Sequence, residues 1–411
     1  MSGFWKRASV HDGWTAHTLY ELCEVIKGMS PTQKTAPGPY SLIVTAAELP
    51  TSDAFQIDGE AVCVPLVSST GHGHASIKRL HYASGRFAVA NIMAALVVKD
   101  GSVCDTKFLW LLLQHKKDEL IVPKMKGTAN VSLSLAALGS VVVDLPPLTE
   151  QRRIVNLISA VDKAIEMADR HATATEDLRA AIRRVFFATT AATVPLESIA
   201  STRLGKMLSA SSAREGNEFP YLRNANVKWG HIDVSDLKSM RFSAEERSKF
   251  ELRAGDVMIC EGGAGVGNTA VLEADLPGVY YQKALHRVRC GETLLPDFFA
   301  LWMEHQLENG YITLTSGATA IPHLTGEKLR KMPVPVFSAT EQARIVETTS
   351  MLRDVSAKSR DLARTQAALQ TELLTALLSG EREIPASYDR PLDASTYSAN
   401  DIGSTSGEAA A

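Results

Sequence analysis

A seven-residue phrase occurs twice in this chain, as TEQRRIV at 149–155 and as TEQARIV at 340–346. The two copies are 191 positions apart (340 − 149). The residues before them also correspond at this offset, as Leu138 does to Leu329. A repeat of this period must be recognised before any local assignment, because it determines the architecture. The sequence therefore predicts a tandem duplication.

The offset is expected to hold without gaps from about residue 64 to residue 187, which places Gly71 on Gly262. Upstream of this range, Pro39-Tyr40 matches Pro220-Tyr221 at a shorter offset. The duplication divides the chain into alternating blocks. These are a first head at 1–145, a first long helix at 146–190, a second head at 191–337, a second long helix at 338–380 and an acidic tail at 381–411.

The heads combine short β-like runs, such as EAVCVPLV and DVMIC, with one longer helical stretch each. The helical blocks differ, since residues 149–188 contain neither Pro nor Gly. We expect Thr149 and Thr340 to be N-caps and Gly380 to be the C-cap. Apolar residues at steps of three, four or seven predict a helix-pair or partner interface formed by Ile154, Ile158, Val161, Ile165, Val355, Leu362 and Leu369.

An isolated helix of this kind would expose its apolar stripe, so the two long helices are expected to pack together. The predicted fold class is α+β: a mixed α/β globular head followed by a long helix, duplicated in tandem. The helices form an antiparallel coiled coil, and the molecule is pseudo-twofold. The polar segment 381–411 is predicted to be disordered, and truncation after Gly380 is expected to leave assembly intact.

The charge of the chain does not indicate a strongly basic nucleic-acid binder. The net value is −3, and 381–411 holds two basic and six acidic residues, which leaves +1 for the rest. Five scattered cysteines without CxxC spacing argue against a disulfide framework or structural zinc and favour a reducing cytoplasm. No apolar run is long enough to span a bilayer.

Motifs for catalysis or cofactor binding are weak. The run EGGAGVGNTAV (261–271) lacks the Gly-Lys-Ser/Thr ending of a P-loop and the spacing of a dinucleotide fold. His72 and His74 have no neighbouring cluster of metal ligands. The sequence therefore gives no positive reason to assign a catalytic residue, a metal site or a cofactor to this chain.

Basic and amide side chains recur together in both heads, as in SIKRLHY, PKMKGTAN, YLRNANVKWG and QKALHRVR. Arg, Lys, Asn and Gln read base edges, and Lys and Arg also neutralise phosphate. From composition alone, an ordinary solvated charged surface is at least as good an interpretation.

The order of motifs resembles a known family. TEQxRIV opens a long helix twice. The second head reads FPYLRNANV, LRAGDVMICEGGAGVGNTAV, YYQKALHRVR and SGATAIPHLTGEKLRKMPVPV. Together these are similar to the specificity subunit of Type I restriction-modification systems. The first head matches less well, with Asn91-Ile92 where the second has Gln282-Lys283.

The resemblance implies a non-catalytic subunit of a host-defence complex. Each head would be a target recognition domain on one part of a split sequence in double-stranded DNA, and the helix pair would be a ruler for the gap. Two adenine methyltransferase subunits and restriction/translocase subunits would be partners. S-adenosylmethionine, ATP and Mg would be bound by those partners, and no membrane would be involved.

The resemblance also suggests DNA-binding candidates in each head. Those of the first head are His72, His74, Lys78, Arg79 and Lys126, and those of the second are Arg223, Asn224, Lys283, His286, Arg287, Thr319 and His323. Two alternatives remain open. One is the recognition subunit of a related Type IIB-like system, and the other is a duplicated protein-binding scaffold with no nucleic-acid role.

Overall fold

The computed structural model describes residues 13–32, 35–70, 73–128, 130–188, 192–207, 216–311 and 323–389. The chain forms two compact units. Unit 1 comprises residues up to Met167 together with those from Leu362 onwards, and unit 2 comprises Ala168–Asp361. Each unit contains one head and a part of both long helices.

The head of unit 1 is built on a sheet of six strands, with helices and a short strand pair beside it. Its strands are β1 (Thr15–Thr18), β2 (Cys23–Lys27), β3 (Tyr40–Ile43), β4 (Thr51–Ser52), β5 (Ile57–Pro65), β6 (His81–Val89), β7 (Met93–Val98) and β8 (Val142–Leu145). Its helices are α1 (Leu19–Leu22), α2 (Thr106–His115), α3 (Lys117–Leu120) and α4 (Leu135–Gly139).

The strand order of the large sheet is β2-β7-β5-β6-β3-β4, and β3 runs parallel to β6. The central strands β5 and β7 are apolar and buried along most of their length. Such runs are typical of strands covered on both faces. One face packs against α2, where Phe108 and Leu112 are buried, and the first turns of the first long helix join the same core through Ile154 and Ile158.

The head of unit 2 repeats this plan with smaller sheets. Its strands are β9 (Thr193–Pro195), β10 (Ala200–Leu204), β11 (Asn217–Leu222), β12 (Val227–Lys228), β13 (His231–Ile232), β14 (Lys238–Phe242), β15 (Asp256–Cys260), β16 (Thr269–Val271), β17 (Tyr280–Tyr281), β18 (Leu285–Cys290) and β19 (Pro333–Pro335). The first long helix, α5 (Leu148–Ala188), precedes this head in the chain. The short helices of the head are α6 (Ala244–Lys249), α7 (Pro296–Glu308) and α8 (Gly326–Arg330).

The main sheet of unit 2 has the order β10-β18-β15-β16, which matches β2-β7-β5 of the first head in its first three strands. A second sheet has the order β14-β11-β17. In it β11 and β17 run parallel, and they correspond to the parallel pair of β3 and β6 in the first head. The main sheet separates two apolar cores, one with α7 and one with β11, β14 and β17.

The predicted gapless offset between the heads is wrong in their central part. Val67 forms a bridge with Ser132, and Gly262 forms the corresponding bridge with His323. Ser132 and His323 are 191 residues apart, whereas Val67 and Gly262 are 195 apart. Val67, and not Gly71, is therefore the counterpart of Gly262, because the segment between the two bridge residues is longer in the first head.

The two long helices are α5 and α9 (Ala339–Leu378). The N-cap of α9 is Ser338 and not Thr340, since its hydroxyl accepts from the Glu341 amide and the Glu341 carboxylate accepts from the Ser338 amide. Likewise α5 begins at Leu148, before Thr149. At the other end, Gly380 has the left-handed φ of 72° that a glycine C-cap provides, as predicted.

The helices pair in antiparallel directions in both units, as predicted. In unit 1, Gln370 Nε2 donates to Asp162 Oδ1 at 2.7 Å. In unit 2, the hydroxyl of Ser356 donates to the Ala172 carbonyl at 3.0 Å. Residue numbers rise along one helix as they fall along the other, which defines the direction.

The buried stripe of α5 agrees with the sequence prediction. Ile154 and Ile158 are buried, and Val161 and Ile165 are half-buried at the same heptad positions. The stripe continues through Ala168 and Ala172.

The predicted stripe of α9 is wrong for the helix pair. Val355, Leu362 and Leu369 are 42%, 52% and 59% exposed, while Ser356 and Ala363 are 0% and 4% exposed. The buried stripe therefore lies one residue further along the helix, or about 100° around it. Its full course is Gln342, Ile345, Thr349, Leu352, Ser356, Ser359, Ala363, Gln366, Gln370, Leu373 and Leu377.

The segment after Gly380 does not leave the fold at once. Ile384 is 6% exposed and belongs to the core of unit 1. Its amide donates to Glu150 Oε1 at 3.0 Å. The prediction that disorder begins at residue 381 is therefore wrong for 381–389, because an apolar side chain and a backbone group are both held there.

Two further findings concern the long apolar segments and the cysteines of the described residues. No helix among them is long and apolar enough to cross a membrane. The five cysteines are free, and burial raises the pKa of each thiol to about 12.

Candidate nucleic-acid interface

Each head has an exposed edge where the chain leaves its central strand. After β5, the Leu66 carbonyl accepts from the Leu133 amide at 2.8 Å. After β15, the Glu261 carbonyl accepts from the Leu324 amide, also at 2.8 Å. We call the surroundings of these two contacts the first-head edge and the second-head edge. They are equivalent places in the two copies of the fold.

The first-head edge is formed by residues 66–70, 73–78 and 126–133, of which 129 is not described. The hydroxyl of Ser68 donates to the His74 carbonyl at 2.6 Å and so closes the loop. Gly73 has a φ of 80°, and a Cβ there would lie 2.4 Å from the Thr128 carbonyl oxygen. The close approach of these two loops therefore requires glycine.

Four of the predicted first-head residues are exposed: His74, Lys78, Arg79 and Lys126. The backbone at Lys126 bridges to Ser132, so its ammonium projects from an anchored segment. The Lys78 amide donates to Ser69 Oγ at 3.1 Å. These contacts place three of the four on the first-head edge, with Arg79 adjacent to it.

The second-head edge comprises Asn224, residues 261–268, Lys283 and residues 323–324. The Asn224 side-chain amide donates to the Gly262 carbonyl at 2.8 Å. A Cβ on Gly262 would lie 2.6 Å from the imidazole of His323, so a larger residue there would displace the histidine from this position. The glycine-rich run thus has a structural role here as a tightly packed turn.

The predicted residues Asn224, Lys283 and His323 come together on this edge. Lys283 and His323 are exposed, and Asn224 is partly exposed. The Lys283 amide donates to the Lys206 carbonyl at 2.8 Å, which leaves its ammonium directed from a fixed turn. Arg223 precedes Asn224, but its guanidinium is ion-paired with Asp236.

His286 and Arg287 are placed in the interior instead. His286 is 1% exposed, and its Nε2–H donates to the Leu324 carbonyl at 2.8 Å. Burial lowers the pKa of His286, so the ring is neutral and supports the edge from behind. Arg287 is 7% exposed and packs over the ring of Tyr281. Contact of His286 with a base would require it to leave this position.

Two predicted residues, His72 and Thr319, lie outside the described residues. Among the residues that are described, no group of three or more His, Cys, Asp or Glu side chains could hold a metal ion. The chemistry available at both edges is thus hydrogen bonding by amide and imidazole groups and the positive charge of lysines. Such groups suit recognition of base edges and phosphates.

Comparison with known proteins identifies the family of this fold. The family model for the Type I restriction modification DNA specificity domain matches residues 11–173 and again residues 190–360. The two matches cover more than half of the chain. The chain belongs to the family of Type I restriction modification DNA specificity domains and carries two copies of that domain.

One curated relative is the specificity subunit of the type I restriction enzyme EcoKI from Escherichia coli (strain K12). It is 23% identical over 156 residues, which make up 37% of this chain and 34% of the relative. The match therefore spans about a third of that relative's length.

Solved structures share the fold over most of the chain. The S subunit of a Type I restriction-modification system from M. genitalium aligns with a TM-score of 0.58 and 18% identity, covering 89% of this chain and 96% of that one. The HsdS subunit from Thermoanaerobacter tengcongensis gives 0.50 and 18%, with 92% and 99% covered. A chain from work on complex assembly and conformational transition of the type I R-M system gives 0.56 and 18%, with 92% and 100% covered.

Proposed function

We propose that this chain is the DNA sequence-recognition subunit of a Type I restriction-modification complex. Each head would read one part of a split target in double-stranded DNA through its edge, and the two long helices would act as the spacer between the parts. The chain itself would be non-catalytic. Adenine methylation and restriction would be performed by partner subunits, which would bind S-adenosylmethionine, ATP and Mg.

The observation that carries this proposal is the presence of equivalent edges with different side chains. His74 and Lys126 occupy the first-head edge, while Asn224, Lys283 and His323 occupy the second. Both edges are held by the same backbone contact behind them, Leu66 with Leu133 and Glu261 with Leu324. Two edges with the same backbone contact but different exposed side-chain donors are suited to reading two different half-sites. The matched family description supports the same interpretation.

The outer face of the helices is proposed as a partner surface. Leu362 and Leu369 are more than half exposed on the part of α9 in unit 1, and Val355 is 42% exposed on the part in unit 2. Apolar side chains repeated along one exposed helix face are a common signature of protein binding. We assign this face to the adenine methyltransferase subunits, of which two are expected.

The test is methylation mapping. The chain is co-expressed with its neighbouring methyltransferase gene, and modified adenines are mapped across the host DNA. A split motif with a fixed gap, lost when this chain is omitted, is the expected result. A complex that forms but produces no new methylation would contradict the proposal and favour a protein-binding scaffold.

Edge variants then assign the half-sites. Asn224→Ala and His323→Ala are expected to relax or abolish reading of one half of the motif, while Lys126→Ala affects the other half. Lys27→Ala, at an exposed position of β2, is the control for a lost lysine elsewhere in the first head. If both halves of the motif changed together with any single edge variant, the assignment of one half-site to each head would be wrong.

A further inference from the structure

Two arginines stand directly opposite each other in the main sheet of unit 2. Arg203 on β10 and Arg287 on β18 are register partners in the antiparallel ladder. Side chains at such positions have Cβ atoms roughly 5 Å apart, and like charges there repel each other. The pair is therefore unfavourable unless a neighbouring group compensates it.

Two carboxylates close to this pair, Asp256 and Glu251, are hydrogen-bonded to other arginines. Asp256, which is 1% exposed, accepts from Nε and Nη2 of Arg289, each at 2.7 Å. Glu251 accepts from Nε and Nη2 of Arg253 at 3.0 and 2.7 Å. Within the described part of the chain, no ion pair joins a carboxylate to either member of the opposed pair. The pair thus adds positive charge to a site whose carboxylates are occupied.

The two guanidinium groups instead hold the loop that follows α6. Arg203 Nη1 donates to the Lys249 carbonyl at 3.1 Å. Arg287 Nη1 donates to the Glu251 carbonyl at 2.5 Å. Backbone carbonyls carry only partial charge, so these contacts orient the guanidiniums without neutralising them.

Arg287 also retains an unused donor. It is 7% exposed, and its buried Nε has no hydrogen-bond partner among the described residues. The hydroxyl of Tyr281, whose ring centre lies 5.7 Å from the guanidinium carbon, is likewise buried without a partner. Burial lowers the pKa of Arg287, and the positive charges of Arg289 and Arg203 contribute to the same effect. Buried donors of this kind are costly unless an acceptor occupies the site.

We propose that Arg203 and Arg287 form an anion-binding site whose occupant is a phosphodiester group of DNA. This inference rests on the proposed function: it adds Arg203 to the DNA contacts and assigns Arg287, already a candidate, to phosphate. Guanidinium forks bind phosphate oxygens with two hydrogen bonds. Arg203 is exposed and lies three residues before Lys206, which contacts the turn of Lys283 on the second-head edge. That separation is roughly 10 Å along an extended chain, within the footprint of one head.

We expect this site to contribute to the affinity for DNA and to the position of the head along the duplex, and not to which bases are recognised. Arg203→Gln, in the complete complex with its methyltransferase partners, is expected to lower the slope of log affinity against log salt by about 0.9, the contribution of one phosphate contact. The methylated motif remains the same. Arg241→Gln, an exposed arginine of the same head that also donates to a backbone carbonyl, is the matched control and leaves the slope unchanged.

Arg287→Lys keeps the charge but removes the fork, so it is expected to weaken DNA binding at a fixed salt concentration while the salt slope is retained. Circular dichroism and the unfolding midpoint confirm that each variant is folded. An Arg203→Gln slope equal to that of the wild type would overturn the proposal. A change in the methylated bases would also overturn it, since the pair would then be reading sequence.

A second measurement uses inorganic phosphate and the purified full-length chain. Phosphate, compared with chloride at equal ionic strength, is expected to raise the unfolding temperature of the wild type and not that of Arg203→Gln. No phosphate effect in either protein would overturn the anion site. A phosphate effect without a change in the salt slope would overturn its assignment to DNA. If the wild-type complex directed no methylation, the proposed function would fail, while this measurement would still decide on the anion site.

Discussion

Gln151 and Gln342 make the same three hydrogen bonds in the two units. Gln151 Oε1 accepts from the Asp105 amide, and its Nε2 donates to the carbonyls of Val103 and Pro146. These contacts measure 2.9, 3.0 and 2.9 Å and join the start of α5 to the segment that precedes α2.

Gln342 repeats this set at the start of α9. Its Oε1 accepts from the Leu295 amide at 2.9 Å, and its Nε2 donates to Thr293 and Phe337 carbonyls at 2.8 and 2.9 Å. The repeated TEQ phrase is thus explained by its glutamine, which fixes each long helix to its head. Sequence reasoning noticed the phrase but did not assign a role to this residue.

Gln342→Ala is expected to destabilise unit 2. It leaves one partly buried amide and two carbonyls without their partner, at about 1–3 kcal/mol for each group that water cannot reach. The midpoint of urea denaturation measures the loss. Glu347→Ala, on an exposed position of the same helix, is the control and should change the midpoint little. Equal midpoints for the two variants would contradict the anchoring role.

The corrected stripe of α9 gives a second prediction. Ser356→Leu should destabilise unit 2 by about 1–3 kcal/mol, because Ser356 is fully buried with its hydroxyl bonded to the Ala172 carbonyl, and a larger side chain would overpack this position. Val355→Ser, at the neighbouring exposed position, should stay within about 0.5 kcal/mol of the wild type. Thermal unfolding of the two variants decides between the predicted and the observed stripe. If Val355→Ser were the more destabilised of the two, the predicted stripe through Val355 would be the buried one.

This error had a physical origin. A spacing of seven residues is common to every face of a helix, so the apolar run Val355, Leu362 and Leu369 satisfied the coiled-coil criterion on the outer face. The buried face carries small and polar residues such as Ser356, which propensity and hydropathy do not mark. The duplication itself contained the answer, since Ser356 lies 191 residues after Ile165 of the buried stripe on α5.

Truncation after Gly380 is expected to destabilise unit 1, contrary to the expectation from sequence. Removing Ile384 exposes core surface, and losses of about 2–5 kcal/mol are usual for a buried isoleucine reduced to alanine. Glu150 also loses the Ile384 amide. A chain ending at Asp389 is the matched comparison and should unfold at the wild-type midpoint. If both truncated chains unfolded together with the wild type, the contact would carry no stability.

His286 predicts how the stability of unit 2 depends on pH. Its folded pKa is below the unfolded value of about 6.5 because of burial, so the unfolded chain binds the proton more readily. Stability is therefore complete above that value and falls as the pH decreases below it, by at most about 1.4 kcal/mol per pH unit for one group. His286→Gln, which keeps a donor for Leu324 and cannot charge, should reduce the fall.

The check is urea denaturation at pH 7.5 and pH 5.5. The loss of stability between the two should be smaller in His286→Gln than in the wild type. His231→Gln, at an exposed position of the same head, should behave as the wild type does. A wild-type loss that is unaffected by His286→Gln would assign the pH dependence to other groups.

The edges were predicted better than the strand between them. The candidates His74, Asn224 and His323, which the family resemblance suggested, lie in loops and are exposed or partly exposed, because turns reach the surface. Along β18, the pattern LHRVRC placed the buried His286 among the candidates for contact with bases. Successive strand residues face opposite sides, and the second core lies on the side where a solvated face was expected. Coverage of a sheet by distant loops is not visible in the local sequence.

The glutamine anchors have a consequence for how the heads can change. Each anchor touches main-chain groups alone: an amide, which every residue type except proline can offer, and two carbonyls, which every residue type can offer. The joint between head and helix therefore makes no demand on the side chains of the head at that point. At these contacts a head can accumulate substitutions without a compensating change in the glutamine that anchors it. Contacts of this kind are compatible with the low sequence identity between the two copies.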